Sequence, residues 1–160
     1  MDVRYQKSNL VELVELKDNL RLDRAFEMYD QDLSFKLAAA VRHAEAFVGR
    51  DLGQTPVFSY PYSPEAVIAL DCALHVTSVK VGGALLDPDS WEFSDGALKI
   101  GGTHADTDTV EVCTAYNADI KVAVLMHASS MWLNPADSVE TLPKASTNLL
   151  SQYRRYDSKR

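Results

Sequence analysis

The chain has 160 residues, of which 46% are hydrophobic and 24% charged. This ordinary globular composition excludes a disordered chain, and the length predicts a single domain over 1–160. The two cysteines, Cys72 and Cys113, cannot form a disulfide framework, which favours free thiols in a reducing compartment. No apolar run approaches the roughly 20 residues of a membrane helix, and the N-terminus lacks a signal-peptide stretch. We therefore expect a soluble intracellular protein.

Charge is distributed unevenly along the chain. The total is −7 at pH 7, while the last ten residues hold four basic and one acidic residue, which leaves −10 for the first 150. Binding nucleic-acid phosphates over a broad face takes clustered cations, so the acidic body excludes such a face. The basic C-terminal tail, 151–160, either seeks an acidic partner or is a solvated terminus, and the residues alone leave both interpretations open.

Helical periodicity occurs towards both ends of the chain. Apolar positions at helical spacing predict a short helix over about 11–20 and a long helix over 31–48, with Gly49 as its stop. A segment that is apolar on most sides predicts a deeply buried helix over 119–133. One apolar face predicts a final helix over about 144–155.

The middle of the chain has the pattern of short strands. Prolines break helix over 54–65, and runs rich in β-branched residues follow as far as Tyr116. Gly82-Gly83 and Asp95-Gly96 are turn signals. We predict an antiparallel β meander inserted at about 57–116. The predicted fold class is α+β and mainly α, a bundle of two N-terminal and two C-terminal helices interrupted by the meander.

No group of side chains in the sequence predicts catalysis. The histidines are His43, His75, His104 and His127. None lies at metal-ligand spacing, and His127 beside Ser129 and Ser130 lacks a GxSxG turn, so a buried core histidine is favoured. The glycine pairs 82–83 and 101–102 match no phosphate-binding motif. We expect no catalytic residue, no cofactor and no metal ion.

Several short motifs follow one another in a characteristic order. They are Leu20-Arg21-Leu22-Asp23, Val48-Gly49-Arg50-Asp51-Leu52, Val76-Thr77-Ser78-Val79-Lys80-Val81, Asp119-Ile120-Lys121-Val122-Ala123-Val124-Leu125-Met126 followed by Trp132, and Leu149-Leu150-Ser151-Gln152-Tyr153-Arg154. Over about residues 11–154, this order and spacing resemble the head–tail connector (adaptor) proteins of tailed bacteriophages. That family also occurs in prophages and gene transfer agents.

The resemblance implies a structural protein without enzymatic activity. Such connectors form a ring, typically of twelve subunits, in the virion neck after synthesis in the host cytoplasm. The ring binds the portal protein on one side and a stopper or tail-completion protein on the other, and DNA passes through its lumen without sequence-specific binding. An acidic lumen would repel DNA and let it slide. A ring needs heterologous contacts, and the helices over 31–48 and 119–133 are the candidates.

The resemblance also implies a docking role for the C-terminal segment, which contacts the portal in related connectors. The residues that we expect to contribute are Leu149, Tyr153, Arg154, Arg155, Tyr156 and Arg160. They combine apolar anchors with the basic charge of the tail.

Alternative functions remain open at this point. One is a stopper or tail-completion protein of the same neck, a class that is usually dominated by strands. A second is a non-viral cytoplasmic interaction module that binds a partner through the meander. A third is a small enzyme that uses His127 or His104.

Overall fold

The structure, a computed structural model, describes residues 1–64, 67–102, 104–105, 107–134 and 142–154. These described residues form two compact units. The β unit comprises Met1–Ser8 and Gln54–Asn117, and the helical unit comprises Asn9–Gly53 and the described residues from Ala118 onward. Both units therefore draw on separated stretches of the chain. The single domain over 1–160 stays a prediction.

The described part of the helical unit holds four α-helices. They are α1 (Leu13–Asn19), α2 (Asp30–Val48), α3 (Ala118–Leu133) and α4 (Lys144–Ser151). Helix α2 ends at Gly49, whose φ of 72° is a left-handed conformation that glycine adopts without strain. Helix α4 is shorter than the predicted 144–155, because the chain turns at Gln152 and Tyr153.

Packing of α2 against α3 forms the core of the helical unit. Helix α2 buries one stripe of small and branched side chains: Leu33, Leu37, Ala40, Ala44 and Val48. The buried positions of α3 are Ile120, Ala123, Val124, His127, Ala128 and Ser129. Helix α4 adds Leu150, which is fully buried, and the Ser146 hydroxyl, which donates to the Ala123 carbonyl oxygen at 3.0 Å.

The described part of the β unit holds two antiparallel sheets. The strands are β1 (Asp2–Lys7), β2 (Gln54–Pro61), β3 (Ile68–Ala69), β4 (Leu74–Val81), β5 (Ala84–Leu85), β6 (Trp91–Ser94), β7 (Ala97–Ile100) and β8 (Thr109–Tyr116). One sheet has the order β1-β2-β8-β4-β5 and the other has the order β3-β7-β6. Val57 pairs with Cys113 across β2 and β8, and β4 carries a bulge between Val76 and Ser78.

The core of the β unit lies on one face of the larger sheet. Its buried members are Tyr62, Leu70, Val76, Val79, Val81, Leu98, Val110 and Val112. Along β8, Val110, Val112 and Thr114 are buried, whereas Glu111 and Cys113 are only half-buried, so the strand alternates as its sequence predicts. Half-buried aromatic side chains such as Trp91 and Phe93 of the smaller sheet pack against this cluster.

The α+β class with antiparallel strands is confirmed, but three details of the prediction are corrected. The fold is not mainly α, since strands contain about as many of the described residues as helices do. Strand β1 adds to the sheet from outside the predicted insertion at 57–116, and all six of its residues are exposed, so no alternation of buried and exposed positions signals it. The strands also do not form a simple meander, because β8 lies between β2 and β4. Among the described helices, none has the length and apolar character needed to span a membrane.

A buried lysine joins α1 to the start of α2. Lys17 is 2% exposed, and its Nζ lies 2.5 Å from Oδ1 of Asp30. The same Nζ donates to the carbonyl oxygens of Arg24 at 3.1 Å and Phe26 at 3.0 Å. These bonds hold the connection between the two helices against the buried end of Lys17.

We expect Lys17→Met to lower the free energy of unfolding by about 3 kcal/mol, because it leaves a carboxylate and two carbonyl oxygens without their donor. The matched control is Lys36→Met, which breaks the i,i+4 pair of Lys36 with Asp32 on the α2 surface and should cost about 0.5 kcal/mol. Urea unfolding followed by far-UV circular dichroism measures both. Equal losses in the two variants would contradict the role assigned to Lys17.

Candidate docking site at the end of the last helix

Helix α4 positions the C-terminal segment of the helical unit. It begins after Pro143, whose carbonyl oxygen accepts from the backbone N–H of Thr147 at 2.9 Å and from its hydroxyl at 3.1 Å. Ser146 and Leu150 are four residues apart and are both fully buried, while Asn148 is exposed. One face of this short helix is therefore fixed to the unit, and the chain leaves it at a defined place.

Tyr153 anchors the chain immediately after α4. It is 7% exposed, and its hydroxyl donates to Oδ2 of Asp119 at 3.1 Å. Gln152 donates through Nε2 to the same oxygen at 3.2 Å. The Nε of Arg50 donates to the Tyr153 carbonyl oxygen at 3.2 Å. Tyr153 thus ties the end of α4 to the beginning of α3 and to the residue after the α2 stop.

The structure describes three of the six predicted docking residues, and these three differ in burial. Leu149 is half-buried and Tyr153 is buried, so both serve the helical unit. Arg154 is exposed, and its guanidinium carbon lies 5.1 Å from the centroid of the Phe47 ring, a cation–π distance. The other three lie outside the described residues: Arg155, Tyr156 and Arg160.

The structure adds residues that the sequence did not single out. Asp119, Arg50 and Phe47 hold the segment in place through the contacts above. Asp119 stands at the start of a helix, where a carboxylate is expected in any case, so the sequence carries no signal for its pairing with Tyr153.

A histidine pair lies inside the helical unit. Nδ1 of His43 and Nε2 of His127 are 2.8 Å apart, so one ring donates a hydrogen bond to the other. His127 is fully buried, as the sequence favoured, and burial, together with the neighbouring His43, lowers its pKa to about 4. Ser129 accepts instead from Nδ2 of Asn19 at 2.7 Å. The arrangement suits a core contact between α2 and α3.

His104 lies in the β unit, near an aromatic ring. Its ring centroid is 5.0 Å from that of Tyr62, at an interplanar angle of 78°. The Tyr62 hydroxyl donates to the Gly102 carbonyl oxygen at 3.0 Å. Within the described ranges, no three His, Cys, Asp or Glu side chains are grouped as a metal site would require.

Comparisons with known proteins gave the following results. No family model matches the chain, and no curated protein matches it. Similar chains occur in the neck of an empty gene transfer agent (GTA) particle computed with C6 symmetry (15% identity, TM-score 0.46, 96% of each chain covered) and in the virion of a native GTA particle (14%, 0.45, 95% of each). Another occurs in the neck of a native GTA particle computed with C12 symmetry (13%, 0.46, 96% of each).

The histidine pair generates a prediction about pH. In the unfolded chain His127 takes up a proton near pH 6.5, the ordinary pKa of a histidine, whereas the folded chain resists protonation until about pH 4. Stability should therefore fall as the pH drops from about 6.5 to about 4, by up to about 3 kcal/mol from this group.

Replacing His127 tests how much this residue contributes to the pH dependence of the unfolding free energy. His127→Gln should flatten the dependence of the unfolding free energy on pH over that window, compared with the unmodified chain. Urea unfolding at a series of pH values measures the slope for both chains. A slope in His127→Gln equal to that of the unmodified chain would show that the buried ring does not titrate as described.

Proposed function

We propose that this chain is a structural head–tail connector (adaptor) without enzymatic activity, located in the neck of a tailed phage or phage-like particle. Copies of it form a ring, of twelve subunits as is typical of the family, beneath the portal protein. The ring carries the stopper or tail-completion protein and leaves a lumen for DNA.

The observation that carries this proposal is where the family-like motifs fall in the fold. Leu20–Asp23 directly follows α1, Val48–Leu52 begins at the last residue of α2, and Val76–Val81 is the main part of β4. The motif 119–126 lies in α3, and 149–154 spans the end of α4. Motifs that the resemblance identified from their order alone thus lie in or directly after separate elements of the helical unit and of the larger sheet.

Charge supports the role of a passive conduit. The first 150 residues carry a net charge of −10, which repels DNA phosphates and opposes sticking during passage. The opposite charge is concentrated in the last ten residues, and this charge suits an acidic surface on a protein partner. The hydrogen bonds of Tyr153 fix the place from which that basic segment starts.

The docking role is tested by removing only the part of the tail beyond the anchor. Deletion of 155–160 should reduce binding to a portal ring from the same genome by more than about tenfold, since it removes three cations, and should leave the thermal unfolding temperature unchanged. The matched control is a tail of equal length with Arg155→Gln, Lys159→Gln and Arg160→Gln. It should lose binding to a similar degree if charge dominates.

Portal binding is measured by co-sedimentation, and the complex is imaged by electron microscopy. Undiminished binding by the truncated chain would reject the docking role. A stable monomer that binds no portal and is absent from particles would reject the connector function and favour a non-viral interaction module.

A stopper or tail-completion protein of the same neck is the second candidate. The observation that favours it is the strand content, which about equals the helix content among the described residues. The order of assembly separates the two functions. A connector binds the bare portal, whereas a stopper binds only after a connector is in place.

A further inference from the structure

Helix α3 is more apolar than its position in the isolated chain requires. Val122, Met126 and Leu133 form one stripe on it and are 44%, 36% and 69% exposed. We call these three residues the α3 stripe. A helix that is apolar on all sides is normally packed against other protein on all sides, so the exposed α3 stripe is a candidate contact surface.

A second exposed face lies on α2, opposite to its buried stripe. It consists of Phe35, Ala38, Arg42 and Ala46, at spacings of three and four residues. We call these four residues the α2 face. Phe35 is 66% exposed, and the alanines beside it leave room for larger side chains to approach the helix.

The two surfaces are complementary in shape and in charge. The α2 face alternates two large side chains, Phe35 and Arg42, with two alanines, while the α3 stripe has three large apolar side chains. Among the described residues, Arg42 has no ion-pair partner. Helix α1 contacts α3 through the ion pair of Glu15 with Lys121, the residue before Val122 of the α3 stripe. Glu12, whose backbone N–H donates to Glu15, is exposed next to that pair.

We propose that the α2 face of one copy of this chain packs against the α3 stripe of the next copy, with Arg42 near the exposed carboxylate of Glu12 on α1. Because the two surfaces differ, the contact is heterologous, and each copy keeps one free surface of each kind until a ring closes. The inference rests on the proposed function, for which it names the contact between subunits.

Charge placed in either surface tests the contact. Phe35→Asp and Met126→Asp should each weaken self-association of the full chain by more than about tenfold, because burying the new carboxylate is unfavourable. The matched control is Leu85→Asp in β5, where the leucine is 66% exposed like Phe35, and it should associate like the unmodified chain. Sedimentation velocity over a series of concentrations measures association, and circular dichroism verifies the fold.

Mixing the two variants makes the test specific for a heterologous contact. Phe35→Asp keeps an intact α3 stripe and Met126→Asp keeps an intact α2 face, so an equimolar mixture should form dimers and nothing larger. A contact of the α2 face with itself would instead leave Met126→Asp unaffected. The proposal is overturned if the unmodified chain stays monomeric at every concentration, if either variant associates normally, or if the mixture forms no dimer.

These outcomes are separable from the fate of the proposed function. Rings that form on the portal from both Asp variants would reject the contact and leave the connector role standing. Association that depends on both surfaces, in a chain that binds no portal, would support the contact and reject the role.

Discussion

The seam between α2 and α3 is the contact on which the helical unit depends. Alanines on both sides of it, Ala40 and Ala44 on α2 and Ala123 and Ala128 on α3, are fully buried. Small side chains let two helices approach closely, so the larger residues around them make dense contact. The seam also joins distant parts of the chain, since 69 residues separate Val48 from Ala118 and most of the β unit lies between them. Tyr153 has a hydrogen-bond partner on each side of this seam, Asp119 of α3 and Arg50 just after α2.

Polar groups inside the helical unit lie where segments must be held in one register. The His43–His127 pair joins α2 to α3, Lys17 closes the connection from α1 to α2, and the Ser146 hydroxyl fixes α4 on α3. Buried polar groups are costly unless they are paired, so such contacts favour one alignment of the helices over slipped alternatives.

The sequence predicted those elements whose signals are local. Helix α2 has a regular apolar stripe and a glycine stop, and β8 alternates along its length, so both could be predicted from pattern alone. Strand β1 could not, because all six of its residues are exposed and its place in the sheet comes from pairing with β2. The insertion of β8 between β2 and β4 was missed for the same reason, since strand order depends on contacts between distant segments.

In the candidate site, too, contacts between distant residues could not be predicted from the sequence. Tyr153 is predicted as a docking residue because it stands in the C-terminal motif, and this stays a prediction. The structure adds a contact that the motif does not signal, since the Tyr153 hydroxyl donates to Asp119, which lies 34 positions earlier. The apolar character of α3 was predicted as deep burial, although part of it serves another purpose. Ile120 and Val124 are fully buried, while Val122 and Met126 on the same helix are exposed. Hydropathy scores a core position and an interface position alike, because both are removed from water in the assembled state. Only the fold of one chain separates them, which is why the surfaces that would join copies of this protein emerge from the structure and not from the periodicity of its sequence.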